Sequence, residues 1–181
     1  MLTTRKLKYS VAALSLSVSL SLSLISTAQA DVDKTTGEAS GNTSALAIPQ
    51  QTVSLAGAER VMAAALKEAR SNGWVITVAV VDNSGELVTL VRDDNAIAIS
   101  PSVAIGKAKT AALLRKPSKA FEDYINDHNK PSFLATPGVT PLEGGVPLFL
   151  KDGSFVGAVG VSGAHGPNDS QVAEAAAAAL L

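Results

Sequence analysis

From residue 54 onward, apolar side chains recur first at helical and then at strand spacing. Leu55, Ala58, Val61, Met62, Ala65, Leu66 and Ala69 share one face of a helix over residues 54–72. Ser54 can cap its start and Gly73 can close it. Residues 74–81 form an apolar, β-branched run. Asp82-Asn83-Ser84-Gly85 turns that run back into residues 86–92, which predicts a hairpin. Ser100-Pro101 opens a second helix with proline at the first helical position. Val103, Ala104, Lys107, Ala108, Ala111, Ala112 and Leu113 carry it to about residue 115. Pro117-Ser118 begins a shorter helix over residues 119–126. Residues 129–140, with Pro131, Pro137 and Gly138, read as irregular.

Residues 143–163 predict a second hairpin, two apolar strands about a turn at Lys151-Asp152-Gly153-Ser154. Gly157, Ala158, Gly160 and Gly163 leave little side chain on the second strand, so a helix or a flat ligand can come close. Asp169-Ser170 are placed to cap a closing helix that runs to Leu181. The order is α, β-hairpin, α, α, β-hairpin, α. Short turns within each strand pair make the pairing antiparallel, unlike a Rossmann fold. The expected class is therefore α+β, with an antiparallel sheet from two β-hairpins flanked by helices.

The ends change the picture. Arg5, Lys6 and Lys8 precede a Leu/Ser/Val run over residues 11–25, and Ala28-Gln29-Ala30 has the small-x-small cleavage pattern. Residues 1–30 are thus expected to be a signal peptide and the protein to be exported, periplasmic or secreted. The run is about fifteen residues, shorter than the roughly twenty of a spanning helix, so no stable membrane span is expected after cleavage. Residues 31–49, rich in Asp, Thr, Gly and Ser, read as a linker, leaving residues 50–181 as one domain. Without the leader's three cations, 12 Lys and Arg remain of 15 against 16 Asp and Glu, a net charge of −4. That balance argues against nucleic acid, which calls for a basic stripe. Cysteine is absent, which removes disulfides, thiolate catalysis and Cys-ligated metals.

Few residues can carry chemistry. His165 follows the glycine-lined strand in a Gly-rich loop, where an imidazole can ligate iron or another metal. Asp123, Asp127 and His128 cluster about the end of the short helix, a weak metal grouping or a solvated helix end. Lys107, Lys109, Arg115, Lys116 and Lys119 are the one basic concentration, either a solvent face or partners for a bound carboxylate. Met62 and Tyr124 are further iron-ligating types, and Met62 lies on the apolar stripe. Gly160-Val161-Ser162-Gly163-Ala164 mimics a nucleophile elbow but lacks its last glycine, so it reads as a structural turn. Gly157, Gly160 and Gly163 have the wrong spacing for a dinucleotide fingerprint and read as packing glycines.

Several stretches taken in order carry a resemblance. They are Leu55-Ala56-Gly57-Ala58-Glu59-Arg60-Val61, Ala79-Val80-Val81-Asp82, Lys107-Ala108-Lys109-Thr110-Ala111, Gly144-Gly145-Val146-Pro147, and Gly157-Ala158-Val159-Gly160-Val161-Ser162-Gly163 followed by Asp169. Over about residues 52–181 the chain resembles the GlcG/HbpS family. The resemblance implies a profilin-like α+β domain that forms homo-oligomers. It also implies kinship with secreted haem binders, with the C-terminal part of PduO-type corrinoid proteins and with GlcG proteins linked to glycolate use. Haem, or a similar tetrapyrrole, is the implied ligand for scavenging, sensing or storage. Residues 50–127 contain no histidine, so iron ligation would fall to His165, to His128 or to the Thr110 hydroxyl. Lys107, Lys109 or Arg115 would meet the propionates, and the Gly/Ala-lined surface would hold the macrocycle. Two other readings stay open: an enzyme or accessory protein acting on a small carboxylic acid such as glycolate, and an oligomeric scaffold.

Overall fold

Ser54 accepts a hydrogen bond from the Gly57 amide and starts α1 (Leu55–Ser71), which Asn72 and the left-handed Gly73 end as the spacing predicts. The structure is a computed structural model in which residues 46–181 are described. The expected signal peptide and all but the last residues of the expected linker lie outside that range. The remaining elements are β1 (Thr77–Asp82), β2 (Leu87–Arg92), α2 (Ser100–Leu114), α3 (Lys119–Asp127), β3 (Gly145–Phe149), β4 (Phe155–Ser162) and α4 (Gly166–Ala177). Short 3-10 turns cover Pro131–Ala135 and Ala178–Leu180.

Both predicted hairpins form. In the first, the Asp82 carboxylate accepts from the Ser84 and Glu86 amides at 2.8 and 2.9 Å. In the second, Asp152 accepts from the Ser154 amide at 2.9 Å. β1 and β4 pair at the centre, giving an antiparallel sheet ordered β2-β1-β4-β3. The edges are therefore β2 and β3. Pro147 lies in edge strand β3, where a missing N–H costs least.

Alternation along the central strands makes two cores. Val78, Val80, Val159 and Val161 pack with α1 and α4. Val81 and Ala158 face Ala108, Ala111 and Ala112 of α2 on the other side. Each fully buried valine is worth about 1.5–3 kcal/mol relative to exposure. The second core is made of small residues because α2 lies almost on the sheet. A methyl group on Gly160 would collide with the Ala104 carbonyl and the Ala108 amide, and one on Gly145 with the Lys107 carbonyl.

That packing corrects two expectations. The Gly/Ala-lined strand surface holds α2 rather than a macrocycle, and Ala158 is fully buried beneath it. Asp169 does not cap α4 from outside. The helix begins three residues earlier at Gly166-Pro167, and Asp169 sits buried in its first turn, reaching back to the Ala164 amide at 2.9 Å. Proline at the start of a helix sets φ without losing a needed donor, which moves the start upstream.

Candidate functional site

Lys107 stands on the buried stripe of α2 with Ala104, Ala108 and Ala111. Its ammonium is 2.8 Å from Asp169 Oδ2 and donates to the Val161 carbonyl at 3.0 Å. Both side chains are only 4% exposed. The pair ties α2, the end of β4 and the first turn of α4 together beneath Gly144. Gly144 has φ +114 and leaves no room for a side chain between Asp169 and the ammonium. Next to it, Ser118 joins the start of α3 to the start of β3. Its hydroxyl donates to the Leu142 carbonyl at 2.6 Å and accepts from the Gly145 amide at 2.8 Å.

These ties hold open a groove along the β3 edge. Pro117, Lys119, Ala120 and Asp123 line it from the α3 side. Val146, Pro147 and Phe149 line it from β3, and Pro167, Ser170, Gln171, Glu174, Ala177, Ala178 and Leu181 from α4 and the turn after it. The polar part encloses about 670 Å³ and includes Glu143, Ser170, Gln171 and Glu174. The adjoining apolar part, about 290 Å³, is walled by Pro117, Val146, Pro147, Phe149, Ala177, Ala178 and Leu181. Pro117, Val146 and Glu174 belong to both parts.

The polar part is acidic. Lys119 Nζ lies 2.7 Å from Asp123 Oδ1, one turn along α3. That hydrogen bond raises the Lys119 pKa from its ordinary value against the opposing desolvation, and the charges of Asp123, Glu143 and Glu122 add to the rise. Glu143 is partly buried. Its amide donates to Glu122 Oε2 at 2.8 Å, and its carboxylate fills the space that a side chain on Gly166 would need.

The structure separates the residues singled out by sequence. Lys107 is consumed by its ion pair and faces the interior. Lys109 turns the other way, 3.6 Å from Glu86. The Thr110 side chain is buried: its hydroxyl donates to the Gly106 carbonyl at 2.8 Å and accepts from the Thr140 amide at 2.7 Å. Arg115 ends α2 in the left-handed region with its guanidinium 5.0 Å from the Phe155 ring centre. His128 is exposed, stacked on Tyr124 at 4.6 Å with Nδ1 3.0 Å from the Tyr124 carbonyl oxygen. Asp123 is paired with Lys119, and no group of three or more His, Asp or Glu among the described residues is placed to hold a metal ion. Met62 is core and Ser162 is buried at the end of β4. His165 is exposed at the N-cap of α4 with φ +72, two residues before Pro167 of the groove. Sequence reads Asp169 only as a helix cap and does not single out Glu143 or Thr140 for any role. The signal for Asp169 was a lysine standing on an alanine stripe, which demands a buried acid.

Among the described residues no helix is long and apolar enough to cross a membrane. Comparison with known proteins then supplies the lineage. A family model described as "Haem degrading protein HbpS-like" matches residues 53–178. Protein GlcG of Escherichia coli K12 is 44% identical over 105 residues, 58% of this chain and 77% of that protein. The crystal structure of a Streptomyces reticuli HbpS double mutant superposes with a TM-score of 0.69 at 31% identity, covering 86% of this chain and 99% of that one. The crystal structure of a PduOC:Heme complex superposes with a TM-score of 0.63 at 25% identity, covering 71% of this chain and 94% of that one. The helix-flanked four-stranded sheet is the fold of these neighbours, and the chain belongs to the HbpS-like family.

Proposed function

We propose that this protein binds haem or a related tetrapyrrole reversibly, with the macrocycle in the groove along the β3 edge. The family and the likeness to a haem complex support a haem-related role. The observation that carries the location is the apolar half of the groove, where Val146, Pro147, Phe149, Ala177, Ala178 and Leu181 wall a slot beside an edge strand. Flat apolar surface buried there gains about 25 cal/mol per Å² without any polar partner.

The polar groups fit the rest of the ligand less closely. Among the described residues Lys119 is the only cation lining the groove, and Asp123 already holds it. Asp123, Glu143 and Glu174 oppose further carboxylates, so the propionates point to solvent. Neither histidine lines the groove. His165 starts α4 about 18 Å along the helix from Ala177 in the apolar half, and the Thr110 hydroxyl is spent on backbone, so the iron would be left to solvent ligands. Bound haem would supply an iron centre whose visible spectrum reports its axial ligand. Macrocycle burial with weak ligation suits carrying, storing or sensing haem. The leader pattern at residues 1–30 supports an exported site of action.

Haemin titration followed by absorbance tests the reading. Saturation with a shifted Soret band is expected, and His165→Ala and His128→Ala should each leave that band where it is. A linear, unsaturated rise would overturn it.

A further inference from the structure

A second cleft, sharing no lining residue with the groove, opens at the end of the sheet where both hairpin turns lie. It encloses about 430 Å³ and is lined by Ile48, Pro49, Gln50, Gln51, Asn83, Arg115, Ser154 and Phe155. We infer that this cleft is a binding site for a small carboxylate with an apolar or aromatic body.

Three observations lead there. The first is charge. Arg115 is the one ionisable residue of the lining, and no Asp or Glu among the described residues forms a salt bridge with it. Asp152, in the neighbouring turn, accepts from the Ser154 amide and does not line the cleft. The second is preorganisation. The guanidinium sits 5.0 Å from the centre of the Phe155 ring, and stacking of this kind leaves the N–H edge of an arginine free for a two-point contact. Its backbone is fixed in the left-handed conformation, φ 51, at the end of α2. The opposite wall is fixed as well. Asn83 donates through Nδ2 to Gln50 Oε1 at 3.2 Å and to the Gln51 carbonyl at 2.9 Å. With Oε1 engaged, the Gln50 amide nitrogen is left as a donor in the same lining.

The third observation is the apolar share of the lining. Phe155, Ile48 and Pro49 offer hydrocarbon next to the one charge. An inorganic anion leaves that surface unused, and a neutral apolar molecule leaves the guanidinium unused. A monocarboxylate with a ring or short chain satisfies both. The site owes nothing to the haem reading, since Arg115 lies outside the groove.

Benzoate, benzamide and inorganic phosphate, titrated separately into the ¹⁵N-labelled protein, test the assignment. Benzoate should move the amide resonances of Asn83, Arg115 and Phe155 saturably. Benzamide, which lacks the charge, and phosphate, which lacks the ring, should each bind about tenfold more weakly or worse. Arg115→Asn keeps a residue that tolerates the left-handed backbone and should abolish the benzoate response while leaving the haemin titration as it was. Benzamide binding as well as benzoate, phosphate binding as well as benzoate, or Arg115→Asn retaining benzoate would each overturn the inference.

Discussion

Lys107 and Asp169 are 62 positions apart in sequence and 2.8 Å apart in the fold, where they clamp α2 to the start of α4 through the thickness of the domain. Removing one partner leaves a buried charge, which costs about 3–5 kcal/mol. Lys107→Met and Asp169→Leu should each destabilise by that amount in urea unfolding. The double variant should recover part of the loss, because it removes both charges. Recovery should be incomplete, since the Ala164 amide also loses its acceptor. Additive losses in the double variant would show that the pair is not coupled.

Thr110 is a structural latch between α2 and the irregular segment that ends at Thr140. Thr110→Val should cost about 1–3 kcal/mol by leaving the Thr140 amide without its acceptor. The same variant should saturate with haemin at an unchanged Soret position. A displaced band with unchanged stability would make the hydroxyl an iron ligand.

Gly160→Ala should be among the most damaging single changes in the protein. The added methyl meets α2 backbone rather than a movable side chain, so the helix must lift. Overpacking of this kind costs about 1–3 kcal/mol and sometimes more. Hydrogen exchange in α2 should rise with the loss of stability, and unchanged protection there would contradict the close contact.

The turn after β3 should loosen in acid. The hydrogen bond from the Ser154 amide, and then that from its side chain, hold Asp152 below its ordinary pKa of 3.8. The unfolded chain therefore takes up the proton first as pH falls past that value. The contribution is intact above it and fades as pH drops through the lowered folded value. The Ser154 amide resonance should follow that titration, and Asp152→Ala should remove the step. A resonance that does not move in acid would remove the bond.

Periodicity made the fold legible because each element has one clear driver. The stripe from Leu55 to Ala69, the two Asp- and Gly-bearing turns and Pro101 all act locally, and the structure keeps them. Ala158 and Gly160 were legible as a place of close approach, but their spacing carries no label for what approaches. The answer depends on α2 crossing the sheet, a contact between distant segments. Lys107 misleads for the same reason: among Lys109, Arg115 and Lys116 it reads as surface charge, and only its alanine neighbours at helical spacing betray burial. The groove was hidden altogether. It exists only where β3 becomes an edge and Pro117 meets α4, which pairing order decides and local pattern does not.

The central claim is that haem lies in the groove along β3, and a charge placed in its apolar half addresses it directly. Ala178 is exposed and lines that half, so Ala178→Glu should fold normally. Haemin titration of this variant beside the parent protein, read at the Soret band, is the measurement. The account predicts saturable binding in the parent, weakened about tenfold or more by the buried carboxylate. Equal affinity in the two proteins would place haem elsewhere and contradict it.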